Sequence, residues 1–496
     1  MRFARLAHKK RKGSKMRYAF NPEITLGQLL IEDTPIPLNS RDSLAALALS
    51  LKTLYLTPKY YDKIYNIMTD KILKGKKNTG RPGMNLWQIF VLAQVRLCQN
   101  ISYDRLHWIA NHDSLIRQLM GVERDLWLAP KEIKYQNILD NVSLLDDATL
   151  KKINEVIVSF GHEMHQKKET DALRLKTDSF VVLSNVHFPT DYNLLWDCAR
   201  KCITTVSAIL KKYDSIPGWR KIYDWHKELK GLMRDLGKST ASAGKNKDQR
   251  VKQATKEYLA KATALSHKIE KEKKGFPLLD YADLAQLISL ERFLDLLNKH
   301  IDLVNRRLLL GQVIPHEEKM FSVFEEYTEW ITKGKQHPSM ELGKNVAITT
   351  DQYGLIIDFH IMEKEVDSQI VLDLAIRVLA RFAVEGWSFD KGFFTKTLKE
   401  LLKKYIDNVV MPKKGKCNIA EREEETAPGF VKDRKKHSAI ESSINELGHR
   451  GLDRCPDRGY AHFKRYVALA VCAFNLKRIG QKLLGDLRQA QLAKAA

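Results

Sequence analysis

Cysteine is scarce, six residues in 496, and none of the six forms a C-x-x-C pair. Cys98, Cys417, Cys455 and Cys472 are scattered. Cys198 and Cys202 stand one helical turn apart, but no histidine or second cysteine pair completes a zinc site. That pattern argues against a disulfide framework or a zinc module and points to buried or incidental thiols in a reducing cytoplasm. Long apolar runs are also missing. The longest, Tyr466 to Phe474, falls far short of the roughly 20 residues a membrane-spanning helix requires. The first dozen residues, MRFARLAHKKRK, are basic but have no apolar core of a secretory signal. They read either as a solvated tail or as a contact to a DNA backbone. Acidic residues are in short supply as well: 60 against 83 Lys and Arg, a formal charge of +23. A surplus of that size favours a polyanionic partner, and nucleic acid ahead of a membrane surface.

The chain is too long for one ordinary core, so two to four domains are expected. Residues 1–81 pass from the basic tail through a helical stretch near Leu44–Leu54 into a Gly-, Pro- and Lys-rich linker at 74–83. Residues 82–165 read as a helical module. Leu86, Ile89, Phe90, Ala93 and Leu97 share one face, and Ser102 is placed to cap a second helix carrying Leu106, Ile109 and Ala110. Two short helices across a tight turn in a basic protein suggest a DNA-binding helix-turn-helix, although a plain helical bundle has the same signature. Residues 166–199 contain a β run, Leu173 to Val186. Residues 200–338 are expected to be a helical insertion. Within it, 211–280 hold 18 Lys and Arg against 9 Asp and Glu, whereas 281–330 hold 5 against 9. One end of that helical segment then faces phosphate, unless the lysines simply form a solvated face.

Strand patterning resumes at Val346. Val346, Ile348 and Thr350 alternate, a turn follows at 351–354, and Leu355, Ile357, Phe359 and Ile361 alternate again, which is a hairpin signal. A helix near Ser368–Phe382, a strand ending at Asp390, a helix near Thr395–Tyr405, a strand at 408–411 and a helix carrying Glu441 complete residues 339–496. With the insertion set aside, the order is three antiparallel strands followed by αβαβα. The expected fold is therefore α/β: a ribonuclease-H-like core with a mixed sheet flanked by helices, interrupted by the helical insertion and preceded by an all-helical domain.

Three acids stand out. Asp178 interrupts an apolar strand, where a lone carboxylate costs several kcal/mol unless a cation compensates it. Asp390 lies where a strand exits sharply through Lys391 and Gly392, at the strand end where ligands bind in such sheets. Glu441 borders the apolar stripe Ile440, Ile444, Leu447, with His437 and Asn445 one turn to either side. Asp351 opens a turn before Gly354 and is assigned mainly to that turn. Asp367 reads as the start of the following helix.

Several stretches resemble bacterial insertion-sequence transposases of the DDE type, most closely the ISNCY-like group. They are TDSFVV at 177–182, TDQYG at 350–354, MEKE at 362–365, SFDKGF at 388–393, MPKKG at 411–415, HSAIE at 437–441, GLDRC at 451–455 and FKRYVALA at 463–470. MNL at 84–86 and ISYDRL at 101–106 resemble the helical domain that precedes the core in these enzymes. The resemblance spans roughly 82–200 and 340–485. It implies a metal-dependent enzyme that cuts DNA at element ends and joins them to target DNA, acting as a dimer on double-stranded terminal repeats. By resemblance the catalytic and metal-binding triad is Asp178, Asp390 and Glu441, with Asp351 as the rival middle acid. His437 stands one turn before the glutamate, a departure from the Tyr…Arg…Glu pattern of some relatives. Two Mg²⁺ ions (Mn²⁺ as substitute) held by the triad suit in-line phosphodiester chemistry, because Mg²⁺ takes oxygen ligands and retains waters. Lys413, Lys414 and Lys416 are the first candidates for DNA phosphate, followed by Lys391 and His437. A transposase-derived protein that binds without cutting, or a ribonuclease-H-like nuclease without strand transfer, are the alternatives.

Overall fold

The computed structural model describes residues 30–75, 83–122, 132–213, 216, 218–219, 221–332 and 340–495. The basic tail and residues 76–82 of the 74–83 linker lie outside the described residues. The chain divides into two units: residues up to Asn185 together with those from Ile331 onward, and Val186–Trp330.

In the first unit, helices α1 (Ser43–Tyr55), α2 (Pro58–Ile72), α3 (Leu86–Cys98), α4 (Tyr103–His112), α5 (Ser114–Leu119), α6 (Tyr135–Val142) and α7 (Asp147–Met164) precede β1 (Leu173–Leu183). The Ser102 hydroxyl accepts the Arg105 amide and caps α4, as the sequence suggests. Every residue of α3 except Gln88 is buried, because α3 packs against α6 and the long terminal helix α17 (Tyr460–Ala495). The apolar run that is too short for a membrane is the middle of α17, and Arg465–Lys477 are buried without a break. No helix among the described residues is long and apolar enough to cross a membrane. Gly480 lets α17 meet α1 at backbone contact, since a Cβ there would overlap the Ala46 carbonyl. The N-terminal helices and the C-terminal helix share one core.

The sheet of this unit also contains β3 (Glu341–Thr350), β4 (Ile356–Ile361), β5 (Val384–Phe389) and β6 (Asn408–Val410), while the short β2 (Glu329–Ile331) lies at the boundary between the units. The order is β4-β3-β1-β5-β6. The pairs β4/β3 and β3/β1 are antiparallel, and β1/β5 and β5/β6 are parallel. This is the three-antiparallel-then-parallel order expected from sequence. Helices α12 (Asp367–Leu379) and α13 (Lys396–Leu402) connect the parallel strands. One face of the sheet buries Leu173, Leu175, Trp387, Phe389 and Val409 with Ile370, Leu374 and Leu402. The Trp387 indole donates to Thr177 Oγ1 (2.8 Å), which bonds Thr349 Oγ1 (2.7 Å), so the polar atoms on this face are paired. Helices α14 (Ile419–Thr426), α15 (Pro428–His437) and α16 (Ala439–Leu447) follow β6.

The second unit is helical: α8 (Asp191–Lys212), α9 (Ile222–Ala241), α10 (Lys247–Glu272) and α11 (Tyr281–Val304) pack in a closed ring, α8 on α9, α9 on α10, α10 on α11 and α11 on α8. Its core includes Cys198, Cys202, Tyr258, Leu265 and Leu294. All six cysteines are free; only Cys417 is not fully buried.

Candidate active site

The register of β1 against β5 sets the geometry of the acids. Lys176 pairs with Ser388 and Thr177 with Phe389. The next residue along each strand is an acid, Asp178 and Asp390. The backbone at Asp390 is still extended (φ −74°, ψ 166°), so each acid directly follows the last paired residues of the ladder, Thr177 and Phe389. Residues at equal register on parallel strands project to the same face. Asp178 and Asp390 therefore share the face that carries Lys176 and Ser388, opposite the Trp387–Phe389 core. Asp178 is half-buried and Asp390 exposed.

Helices α15 and α16 cover this face. His437, the last residue of α15, places Nδ1 2.9 Å from Ser388 Oγ, two residues before Asp390 on the same strand. Its Nε2 is buried without a hydrogen-bond partner. Burial holds the imidazole below its ordinary pKa despite the attraction of nearby Asp390, and Lys176 adds to the lowering. The ring meets Ser388 through Nδ1 and buries Nε2, so both nitrogens are turned into the protein. Glu441 is exposed in the first turn of α16, a helix that packs on β1. Among the described residues, no group of three or more His, Cys, Asp or Glu side chains could hold a metal ion. Asp178 and Asp390 thus follow neighbouring positions at the end of the β1/β5 ladder, and Glu441 lies on a helix that packs on β1.

Asp351 is differently placed. It is 1 % exposed. Its Oδ1 accepts the Tyr353 and Leu355 amides (both 2.9 Å), and its Oδ2 lies 2.7 Å from His162 Nε2. Both oxygens are used inside the fold, which matches its assignment to the turn. Asp367 begins α12, and its carboxylate lies so close to Gly392 that a Cβ there would collide with it.

The basic candidates also separate. The Lys413 ammonium binds both oxygens of Glu421 (3.0 and 2.7 Å), and its amide donates to Glu425; it is occupied within the protein. Lys391, Lys414 and Lys416 are exposed. Sequence reasoning missed three other lysines on the acid-bearing side: Lys176, Lys432 and Lys436 line a cavity of about 740 Å³ between the sheet and α15. The parity of Lys176 with Asp178 along one strand, and the i, i+4 spacing of Lys432 and Lys436, were the available signals.

Mg²⁺ accepts one or two carboxylates plus waters, and Asp178 and Asp390 are the carboxylates this end of the β1/β5 pair offers, half-buried and exposed respectively. Comparison with curated proteins and with solved structures returned no significant match. Residues 311–476, about a third of the chain, which include Asp390 and Glu441 but not Asp178, match the family model described as a transposase DDE domain.

Proposed function

We propose that the protein is a DNA transposase of the insertion-sequence type, within the ISNCY-like group, that cleaves DNA at element ends and transfers the strands into target DNA. The observation that carries this reading is that Asp178 and Asp390 directly follow the last paired residues, Thr177 and Phe389, of the parallel β1/β5 ladder, in a ribonuclease-H-like strand order. Asp178 and Asp390 would hold Mg²⁺, with Glu441 completing the set from α16. When bound, the metal supplies activation of the attacking oxygen and charge stabilisation on the leaving oxygen. The protein's own part is positional. The sheet fixes the two aspartates, His437 on Ser388 fixes the end of α15, and α16 carries Glu441 over the same face. The helical unit Val186–Trp330 is an insertion between β1 and the rest of the core. The partner is double-stranded DNA, held by a dimer in the bacterial cytoplasm.

The test is a labelled duplex carrying the DNA that flanks the gene, incubated with the protein and Mg²⁺. Nicked and joined products are expected, and Asp178→Asn or Glu441→Gln should abolish them while leaving DNA binding intact. Cleavage at a normal rate in either variant refutes the triad. Cleavage without joined products would reassign the protein as a nuclease.

A further inference from the structure

The cavity next to the acids has a lining that the proposed chemistry at Asp178 and Asp390 does not by itself require. Its floor is the acid-bearing sheet face, Arg174, Lys176, Ser388 and Asn408, and its wall is one side of α15, Gly429, Lys432, Asp433 and Lys436. Two of its four cations are already engaged. Arg174 forms a bidentate pair with Glu385 (3.0 and 2.8 Å), and Lys436 binds Asp433 (3.0 Å). Lys176 differs. It is half-buried on the floor, it has no ion pair among the described residues, and Lys436 faces it with like charge. Asp351 is the carboxylate that acts on it electrostatically, and both Asp351 oxygens are engaged elsewhere. A half-buried ammonium beside other cations is costly unless an anion joins it. Lys176 also lies two residues before Asp178 on the same face, about 7 Å along the strand, on the scale of the step between neighbouring phosphates of a nucleic-acid strand. Gly429 leaves the α15 wall without a side chain at the cavity's edge.

We propose that this cavity seats a backbone phosphate of the DNA strand next to the one positioned at Asp178 and Asp390, with Lys176 and Lys432 as its free cations and Lys436 completing the positive wall. The proposal rests on the transposase reading for the identity of the anion. The two fail separately.

The experiment measures binding of the full chain to a fluorescent 30-base-pair duplex between 50 and 200 mM NaCl. Each phosphate contact contributes about 0.9 to the slope of log affinity on log salt. The double variant K176Q/K432Q is expected to lower that slope by about 2, so its affinity falls roughly tenfold less than wild type across this range. K176R/K432R should retain the slope. Thermal melting without DNA guards against misfolding, because removing an uncompensated cation should leave the glutamine variant at least as stable as wild type. A wild-type slope in a folded K176Q/K432Q protein overturns the proposal, even where D178N still abolishes cleavage. A reduced slope in a protein whose D178N variant keeps cutting would support the cavity and refute the catalytic reading instead. Loss of inorganic phosphate binding with an unchanged duplex slope would assign the cavity to a free anion, and likewise overturns it.

Discussion

Asp351 and Asp390 competed for the middle place in the triad, and the structure gives them opposite energetic signatures. In Asp351→Asn, the amide oxygen can still accept the Tyr353 and Leu355 amides, but the charged oxygen facing His162 at 2.7 Å is lost. A buried hydrogen bond to a charged group contributes about 1.5–3 kcal/mol. At roughly 2 °C per kcal/mol for a unit larger than 250 residues, Tm should fall by about 3–6 °C. Asp390→Asn touches an exposed carboxylate beside a half-buried one. Their repulsion at neighbouring-strand distance is about 1 kcal/mol in a watery setting, so this variant should melt within about 2 °C of wild type, or slightly above it. Activity should invert the order. Losing a metal ligand removes several kcal/mol of transition-state stabilisation, roughly 10²–10⁴-fold in rate. Asp351→Asn should cut DNA at the wild-type rate per folded molecule. Differential scanning fluorimetry beside a single-turnover cleavage assay reads both quantities. A folded Asp351→Asn protein without cleavage, next to an active Asp390→Asn protein, would refute the assignment.

Other consequences concern the core that supports the site. Asp457 receives Arg96 in a bidentate pair (3.2 and 2.7 Å) and Arg465 at 3.3 Å, all nearly buried. Burial pushes the Asp457 carboxyl up, but the two arginines outweigh it and hold it below its ordinary value. A lowered folded pKa means this stabilisation is complete above the unfolded value near 4 and is lost as pH falls through the folded pKa. Asp457→Asn should therefore cost about 3–5 kcal/mol at pH 7, and the gap to wild type in denaturant melts should close only below about pH 4. Gly480→Ala, which forces a methyl into the Ala46 carbonyl, should cost at least about 1–3 kcal/mol in the same assay. Lys413→Gln should change duplex affinity less than Lys414→Gln or Lys416→Gln, because Glu421 already holds that ammonium.

Local rules made much of the sheet legible. The alternation at 346–350 and 355–361 around a turn that Asp351 stabilises and Gly354 allows (φ +77°) gives the β3/β4 hairpin as observed. Ser102 marks the start of α4, and the run into Lys391 and Gly392 marks the end of β5. Long-range packing was not legible. α3 has an apolar face at helical spacing, yet it is buried nearly all round because α17 lies against it more than 350 residues away in sequence. The site shows the same divide. Asp178 and Asp390 could each be singled out by an odd local setting, but their shared register depends on a parallel pairing that periodicity does not encode. His437 and Lys413 were candidates for DNA phosphate in the sequence. Only the fold reveals that one is turned inward onto Ser388 and the other neutralised by Glu421.

The pairing of Asp178 with Asp390 is tested most directly by titrating the full chain with Mn²⁺, read by the loss of free-ion EPR signal, in wild type, Asp178→Asn, Asp390→Asn and the double variant. If both carboxylates hold the same ion, each single variant should lose the tightest site and the double variant should bind no more weakly than either one. Additive losses, or a tight site that survives both substitutions, would place the two aspartates in separate environments and contradict the account.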